Sequence, residues 1–308
     1  MEVTVWFYAA FTAFVLAMLA LDLGVFHRSA HAVQWREAGV WVSIWVALAL
    51  LFAAGLHFWK GSDAALLFIS GYVIELSLSV DNIFVIVLIF SYFKIPGRFQ
   101  HRVLFWGILG ALVTRGLFIA MGALLIERFG WIMYIFGAFL IFTGIRMAVR
   151  RTEEFDAEHN VMIRAVRRFV RVSRECDGQK FFTARSGYRA ATPLFLVLML
   201  VEFTDLLFAV DSIPAIFAVT TNPFLVYTSN VFAVLGLRSM YFLLSGMVDR
   251  FVYLKYGLAV ILTFVGLKMI LADFLHIPIT VSLSVIIVTL AGSIALSSVI
   301  NHRMKPEN

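Results

Sequence analysis

The stretch ERFGWIMYIFGAFLIFTGIRM, Glu127 to Met147, recurs as DRFVYLKYGLAVILTFVGLKM, Asp249 to Met269, with 7 of 21 positions identical at an ungapped offset of 122. Each copy holds an apolar run of about 20 residues, the length that crosses a bilayer core as an α-helix. A second match lies upstream, where ELSLSVDN (Glu75 to Asn82) aligns with DLLFAVDS (Asp205 to Ser212) at an offset of 130. In both, an acid is followed after five residues by Asp and a small polar side chain. The offset changes in the connection after each acidic helix, so a three-helix unit is present twice. An odd number of helices sends the second copy into the membrane from the opposite side. The expectation is an inverted-topology repeat, in which secondary transporters hold substrate at the interface of the copies near the bilayer midplane. Duplication kept for packing alone is the rival reading.

Composition agrees with a membrane setting. Of 308 residues, 62% are hydrophobic and 14% charged, against roughly 25% charged in a soluble domain. Hydropathy places nine helices at 4–26, 38–58, 64–93, 103–126, 130–149, 192–219, 224–247, 252–273 and 278–300. The fold class is therefore an all-α integral membrane protein of about nine transmembrane helices. It is read as one transmembrane domain over 1–308: repeat A at 64–149 (helices 3–5), a cytoplasmic loop at 150–190, repeat B at 191–273 (helices 6–8), and helix 9 with a short tail at 274–308. Glu2 and Asp22 mark the first span as a retained helix and not a cleaved signal. The third helix is too long for a straight span and must tilt, bend or break.

Basic residues set the orientation. One set of connections holds 20 Lys or Arg, among them Arg28, Arg36, Lys94, Arg98, Arg102, Arg250, Lys255, Arg303 and eleven from Arg146 to Arg189; the other holds only Lys60 and Arg128. The positive-inside rule places the N-terminus outside and the C-terminus in the cytoplasm. The 150–190 segment reads as a solvated linker near anionic headgroups, with a basic amphipathic helix expected over Val161 to Val172. Cys176, the single cysteine, reads as a free thiol and forms no intramolecular disulfide.

Five carboxylates fall inside two related helices: Glu75 and Asp81 in the third, Glu202, Asp205 and Asp211 in the sixth. An acid at the bilayer centre costs about 2.5–3.5 kcal/mol on insertion scales, so each needs an offsetting interaction. Cations supply it, and all-oxygen donors that include the adjacent Asn82 and Ser212 suit hard divalent ions. On a straight helix Glu75 and Asp81 are about 120° and about 9 Å apart, and Asp205 and Asp211 share the problem. Either the helices unwind there, or the paired acids serve different ions or protons. Pro214 argues for a break in the sixth helix, because it frees the carbonyl of Val210; an ordinary kink is the alternative. Arg115 and Arg238, at corresponding places in the two copies, are the charge partners, either of acids that a cation has left or in a permanent buried ion pair.

At ELSLSVDNIFV (75–85) and VEFTDLLFAVDSIPAIFAVTTNPF (201–224) the sequence resembles the TerC family of membrane proteins, and within it the Alx-type manganese exporters. YGLAVILTFVGLKM (256–269) and HIPITVSL (276–283) extend the likeness along most of the chain. The resemblance implies a nine-helix bacterial inner-membrane protein that exports Mn²⁺, with the family's acidic positions at Glu75, Asp81, Glu202, Asp205 and Asp211. Its partners are then the divalent cation and the lipid bilayer, with no permanently bound cofactor and no nucleic acid. No nucleophile elbow, zinc-protease motif or cysteine pair points to an enzyme. The competing class is a membrane scaffold or chaperone that supplies metal to partner proteins or assists their insertion, and such a protein has no need of five intramembrane acids.

Overall fold

The computed structural model describes residues 5–21, 35–149, 172–173, 176–183, 190–245, 253–275 and 277–303. Among them are nine α-helices: α1 (Val5–Leu21), α2 (Trp35–Lys60), α3 (Ser62–Tyr92), α4 (Gly97–Arg128), α5 (Ile132–Val149), α6 (Pro193–Phe217), α7 (Pro223–Leu244), α8 (Leu254–Ile270) and α9 (Ile279–Arg303). Each sits where hydropathy placed it. Six, α2 to α6 and α9, are long and apolar enough by themselves to cross a membrane. α1 and α8 have 17 residues each. α7 falls short because it carries Asn230, Arg238 and several hydroxyls, and it is buried along most of its length. Its neighbours α1, α2, α3 and α4 shield those groups from lipid.

Local chemistry fixes the helix ends. Pro223 opens α7 where no amide hydrogen is needed, and the Asn222 side chain accepts from the amides of Phe224 and Leu225 at 3.0 and 3.3 Å. α3 runs unbroken for 31 residues. α6 also stays helical through Asp211 and Pro214, contrary to the expected break. Pro214 lies within the last turn of α6, so the Val210 carbonyl loses its helical donor there without breaking the helix, and the chain closes with Ala218 donating to the Pro214 carbonyl at 3.0 Å.

α5 and α8 make the most intimate helix pair. A Cβ at Gly137 would lie 2.9 Å from the Gly266 carbonyl oxygen, and one at Gly144 would lie 2.8 Å from that of Ala259. Likewise Gly266 meets the Ile141 amide nitrogen at 3.0 Å and Gly144 that of Thr263 at 3.1 Å. At the offset of 122, Gly137 matches Ala259, Ile141 matches Thr263 and Gly144 matches Gly266. Each contact is thus repeated with the copies exchanged, as in an isologous interface. Rising residue number in α5 meets falling residue number in α8, so the two helices cross antiparallel. Small residues at such a crossing are how membrane helices gain contact area. Two larger pairings also survive the exchange: α3 packs on α7 as α6 packs on α4, and α3 packs on α6.

The 150–190 segment departs from the solvated-linker expectation where it is described. Phe182–Thr183 pairs antiparallel with Ala190–Ala191, and Val172 bridges to Ala191. Phe181 packs on the core of α3, α4 and α6, with the Arg102 guanidinium 4.9 Å from its ring centre. Val172, the end of the expected amphipathic helix, is in this bridge; residues 150–171 lie outside the described residues. Cys176 is a free, half-buried thiol whose pKa burial pushes up.

Candidate functional site

α3 and α6 meet across a small cavity at the middle of the molecule. It is lined by Glu75, Leu78, Asp81 and Asn82 from α3, by Phe208, Asp211 and Ser212 from α6, and by Met147 of α5 and Leu262 of α8. At the offset of 130, Leu78 matches Phe208, Asp81 matches Asp211 and Asn82 matches Ser212. Three repeat-matched pairs therefore face one space, which has room for about one water-sized particle. The Thr143 hydroxyl of α5 donates to Asp211 Oδ1 at 3.2 Å. Glu75 Oε2, Asn82 Oδ1 and Ser212 Oγ are buried with no hydrogen-bond partner. Orphaned buried oxygens are costly, and here residues with such atoms wall the same cavity as two Asp carboxylates. The donor set is all oxygen, as hard cations require.

A second cavity shares Asn82 and reaches toward Asp205, Thr204 and the apolar wall of Ile86, Leu104 and Leu237. Asp205 and Asp211 of α6 thus face different cavities, while Glu75 and Asp81 of α3 wall the same one. Glu75 and Asp205, matched in the repeat, are joined by Arg115 of α4. Its Nε and one terminal nitrogen donate to the two oxygens of Asp205 at 3.2 and 2.8 Å, and the other terminal nitrogen donates to Glu75 Oε1. Arg115 and Glu75 are both at most 1% exposed. A fork that satisfies two carboxylates at once suits guanidinium and not ammonium. Breaking such a buried set by removing one partner costs about 3–5 kcal/mol. Arg238 is likewise buried, in α7, one residue after Leu237 in the wall of the Asp205 cavity.

The five acids are not gathered at one point. Among the described residues no group of three or more Asp, Glu, His or Cys side chains is placed to hold a metal ion together, and Arg115 engages Glu75 and Asp205. Glu202 lines neither cavity: its carboxylate rests on the Cα of Gly110 in α4, in the space a Cβ there would fill. The matched position in the first copy, Tyr72, is 5% exposed and fills its space with a ring. The acid pattern did not find Thr143, which donates to Asp211, or the lining residues Met147 and Leu262. Thr143 carried a weak signal, as one hydroxyl in the apolar run FLIFTGI.

A family description, integral membrane protein TerC family, matches residues 60–305. The chain belongs to the TerC family. Relatives of this TerC protein cover nearly its whole length. An uncharacterised membrane protein of Myxococcus xanthus, STKORF319, is 54% identical over 299 residues, 97% of this chain and 93% of its own. Alx of Escherichia coli K12, named as a candidate membrane-bound redox modulator, is 48% identical over 305 residues, 96% of this chain and 95% of its own. An uncharacterised membrane protein of Rickettsia bellii is 40% identical over 280 residues, 91% of this chain and 93% of its own. No solved structure matches. This TerC protein is accordingly an all-α integral membrane protein, and its matched region begins at α3 and includes both copies and the cavity between them.

Proposed function

We propose that this TerC protein is a secondary transporter that exports divalent metal cations, Mn²⁺ first among them, by alternating access at the cavity between α3 and α6. The observation that carries the reading is the convergence of Asp81 with Asp211 and of Asn82 with Ser212 on one buried space. A cation there would take oxygen from each copy, and a site shared equally between two copies can open to either side as they rock. The Asp charges offset the cost of stripping water from the ion, and Glu75 Oε2, Asn82 Oδ1 and Ser212 Oγ are oxygens in want of a partner.

The copies, 64–149 and 191–273, are then inverted in the membrane; the antiparallel, exchange-symmetric crossing of α5 and α8 supports this. The basic asymmetry supports an external N-terminus and a cytoplasmic C-terminus in the bacterial inner membrane. The protein needs no catalytic group and no resident cofactor for this role. Its partners are the cation and the bilayer.

The test is flux in proteoliposomes, with Mn²⁺, Fe²⁺, Mg²⁺ and Ca²⁺ compared with and without a pH gradient. Saturable Mn²⁺ movement above protein-free vesicles is the expected result. Protein that is folded and inserted yet moves none of the four ions would overturn the reading in favour of a scaffold.

A further inference from the structure

The positive charge of Arg115 joins two repeat-matched acids, Glu75 of the first copy and Asp205 of the second, beside the cavity proposed for the ion. Arg115 takes both oxygens of Asp205 and one oxygen of Glu75, while Glu75 also lines the cavity and leaves Oε2 without a partner. Resting on the transport reading above, we infer that Arg115 is a tethered cation that competes with the transported metal ion for Glu75 and Asp205, and so keeps binding weak enough for release.

Three features lead to this role. The first is electrostatic: a metal ion drawn to Asp81 and Asp211 comes to the wall that contains Glu75, and meets there a fixed positive charge in a buried setting, where like charges repel far more strongly than in water. The second is the division of the triad between the copies. Arg115 and Glu75 belong to the first copy and Asp205 to the second, so the Asp205 arm must yield when the copies rock against each other. A metal ion that draws Asp205 to itself releases that arm, which ties occupancy to movement. The third is reach, because one guanidinium fork engages two carboxylates at once and so competes with the ion at both. Carriers need a site that binds well enough to load and loosely enough to unload; Arg115 provides the second half.

The experiment measures equilibrium Mn²⁺ binding and metal-induced thermal stabilisation of the purified full-length protein in nanodiscs, for wild type, Arg115→Gln and Arg115→Lys, together with Mn²⁺ release rates. Arg115→Gln should bind Mn²⁺ at least about tenfold tighter, release it correspondingly more slowly, and turn over less in vesicles. Its metal-free stability should fall while its stabilisation by Mn²⁺ grows beyond the wild-type value, since a ligand that binds the folded state more tightly stabilises it more. Arg115→Lys keeps the charge without the fork and should lie between the two. Folded Arg115→Gln that binds Mn²⁺ no more tightly than wild type would overturn the inference, leaving Arg115 a structural clamp. If the glutamine variant does not fold, Arg115→Lys decides: binding equal to or weaker than wild type overturns the inference, and tighter binding supports it. Wild-type protein that binds no divalent cation would overturn the transport reading and this inference together, whereas binding without the tightening overturns this inference alone.

Discussion

Gly266→Ala is expected to destabilise the protein out of proportion to the single methyl group it adds. The new Cβ would lie 2.6 Å from the Gly137 carbonyl oxygen, 2.9 Å from Ile141 Cγ1 and 3.0 Å from the Ile141 amide nitrogen. Two of these are backbone atoms, which cannot rotate aside, so relief comes only by parting α5 from α8. Opening a packed surface by about 0.5 Å forfeits about a quarter of its dispersion attraction, and overpacked interiors lose about 1–3 kcal/mol. Gly144→Ala should cost a similar amount, because its Cβ meets the equivalent atoms of the other copy, the Ala259 carbonyl at 2.8 Å and the Thr263 amide at 3.1 Å. Gly55 in α2 has nothing within 4 Å of an added Cβ, and Gly55→Ala is the control. Equilibrium unfolding in mixed detergent micelles, followed by circular dichroism, gives the comparison. Gly266→Ala protein as stable as Gly55→Ala would refute the close antiparallel crossing and, with it, the support that crossing lends to inverted copies.

Two further outcomes follow from individual contacts. Gly110→Ala should destabilise by about 1–3 kcal/mol, because its methyl would occupy the seat of the Glu202 carboxylate, and Glu202→Ala should rescue it; additive losses in the double variant, read by the same unfolding assay, would contradict that seating. Cys176 should react with iodoacetamide more slowly than an exposed thiol at neutral pH, with its rate rising at higher pH than usual, since burial raises its pKa and the thiolate is the reactive form. In linkage terms the unfolded thiol ionises first, so this group makes stability fall as pH rises past its ordinary range. A rate–pH profile matching a free cysteine peptide would refute the packing of residues 176–183.

How much of this was legible in the sequence depends on what each feature rests on. Helix positions were legible because apolar runs of bilayer length have few alternatives. α7 shows the limit: it is not apolar enough to be read as a span by itself and is yet central, since its polar groups are buried in protein. The matched pairs Asp81/Asp211 and Asn82/Ser212 were legible because a repeat that keeps the same side chains at the same offset places them alike. The partition of the acids was not. Whether Glu75 meets a cation or Arg115 depends on how α4 lies against both α3 and α6, and nothing in the spacing of one helix encodes that. Helical geometry set Glu75 and Asp81 well apart on a straight helix; α3 and α6 stay continuous, and Glu75 gives Oε1 to the guanidinium while still walling the same cavity as Asp81. The pairing of Phe182–Thr183 with Ala190–Ala191 left no sequence signal because the strands have only two residues each.

The central claim is that Asp81 and Asp211 jointly hold the transported ion, and the most direct measurement is Mn²⁺ flux by Asp81→Asn, Asp211→Asn and Glu202→Gln proteins at matched abundance in vesicles. Asn preserves size and one acceptor oxygen while removing the charge that offsets ion dehydration, and as a neutral residue it is easier to insert than Asp. Flux should fall at least about a hundredfold in each Asp variant, as loss of a buried charge contact of about 3 kcal/mol implies, and far less in Glu202→Gln, whose carboxylate lies outside the cavity. Wild-type flux from well-folded Asp81→Asn or Asp211→Asn protein would contradict the account.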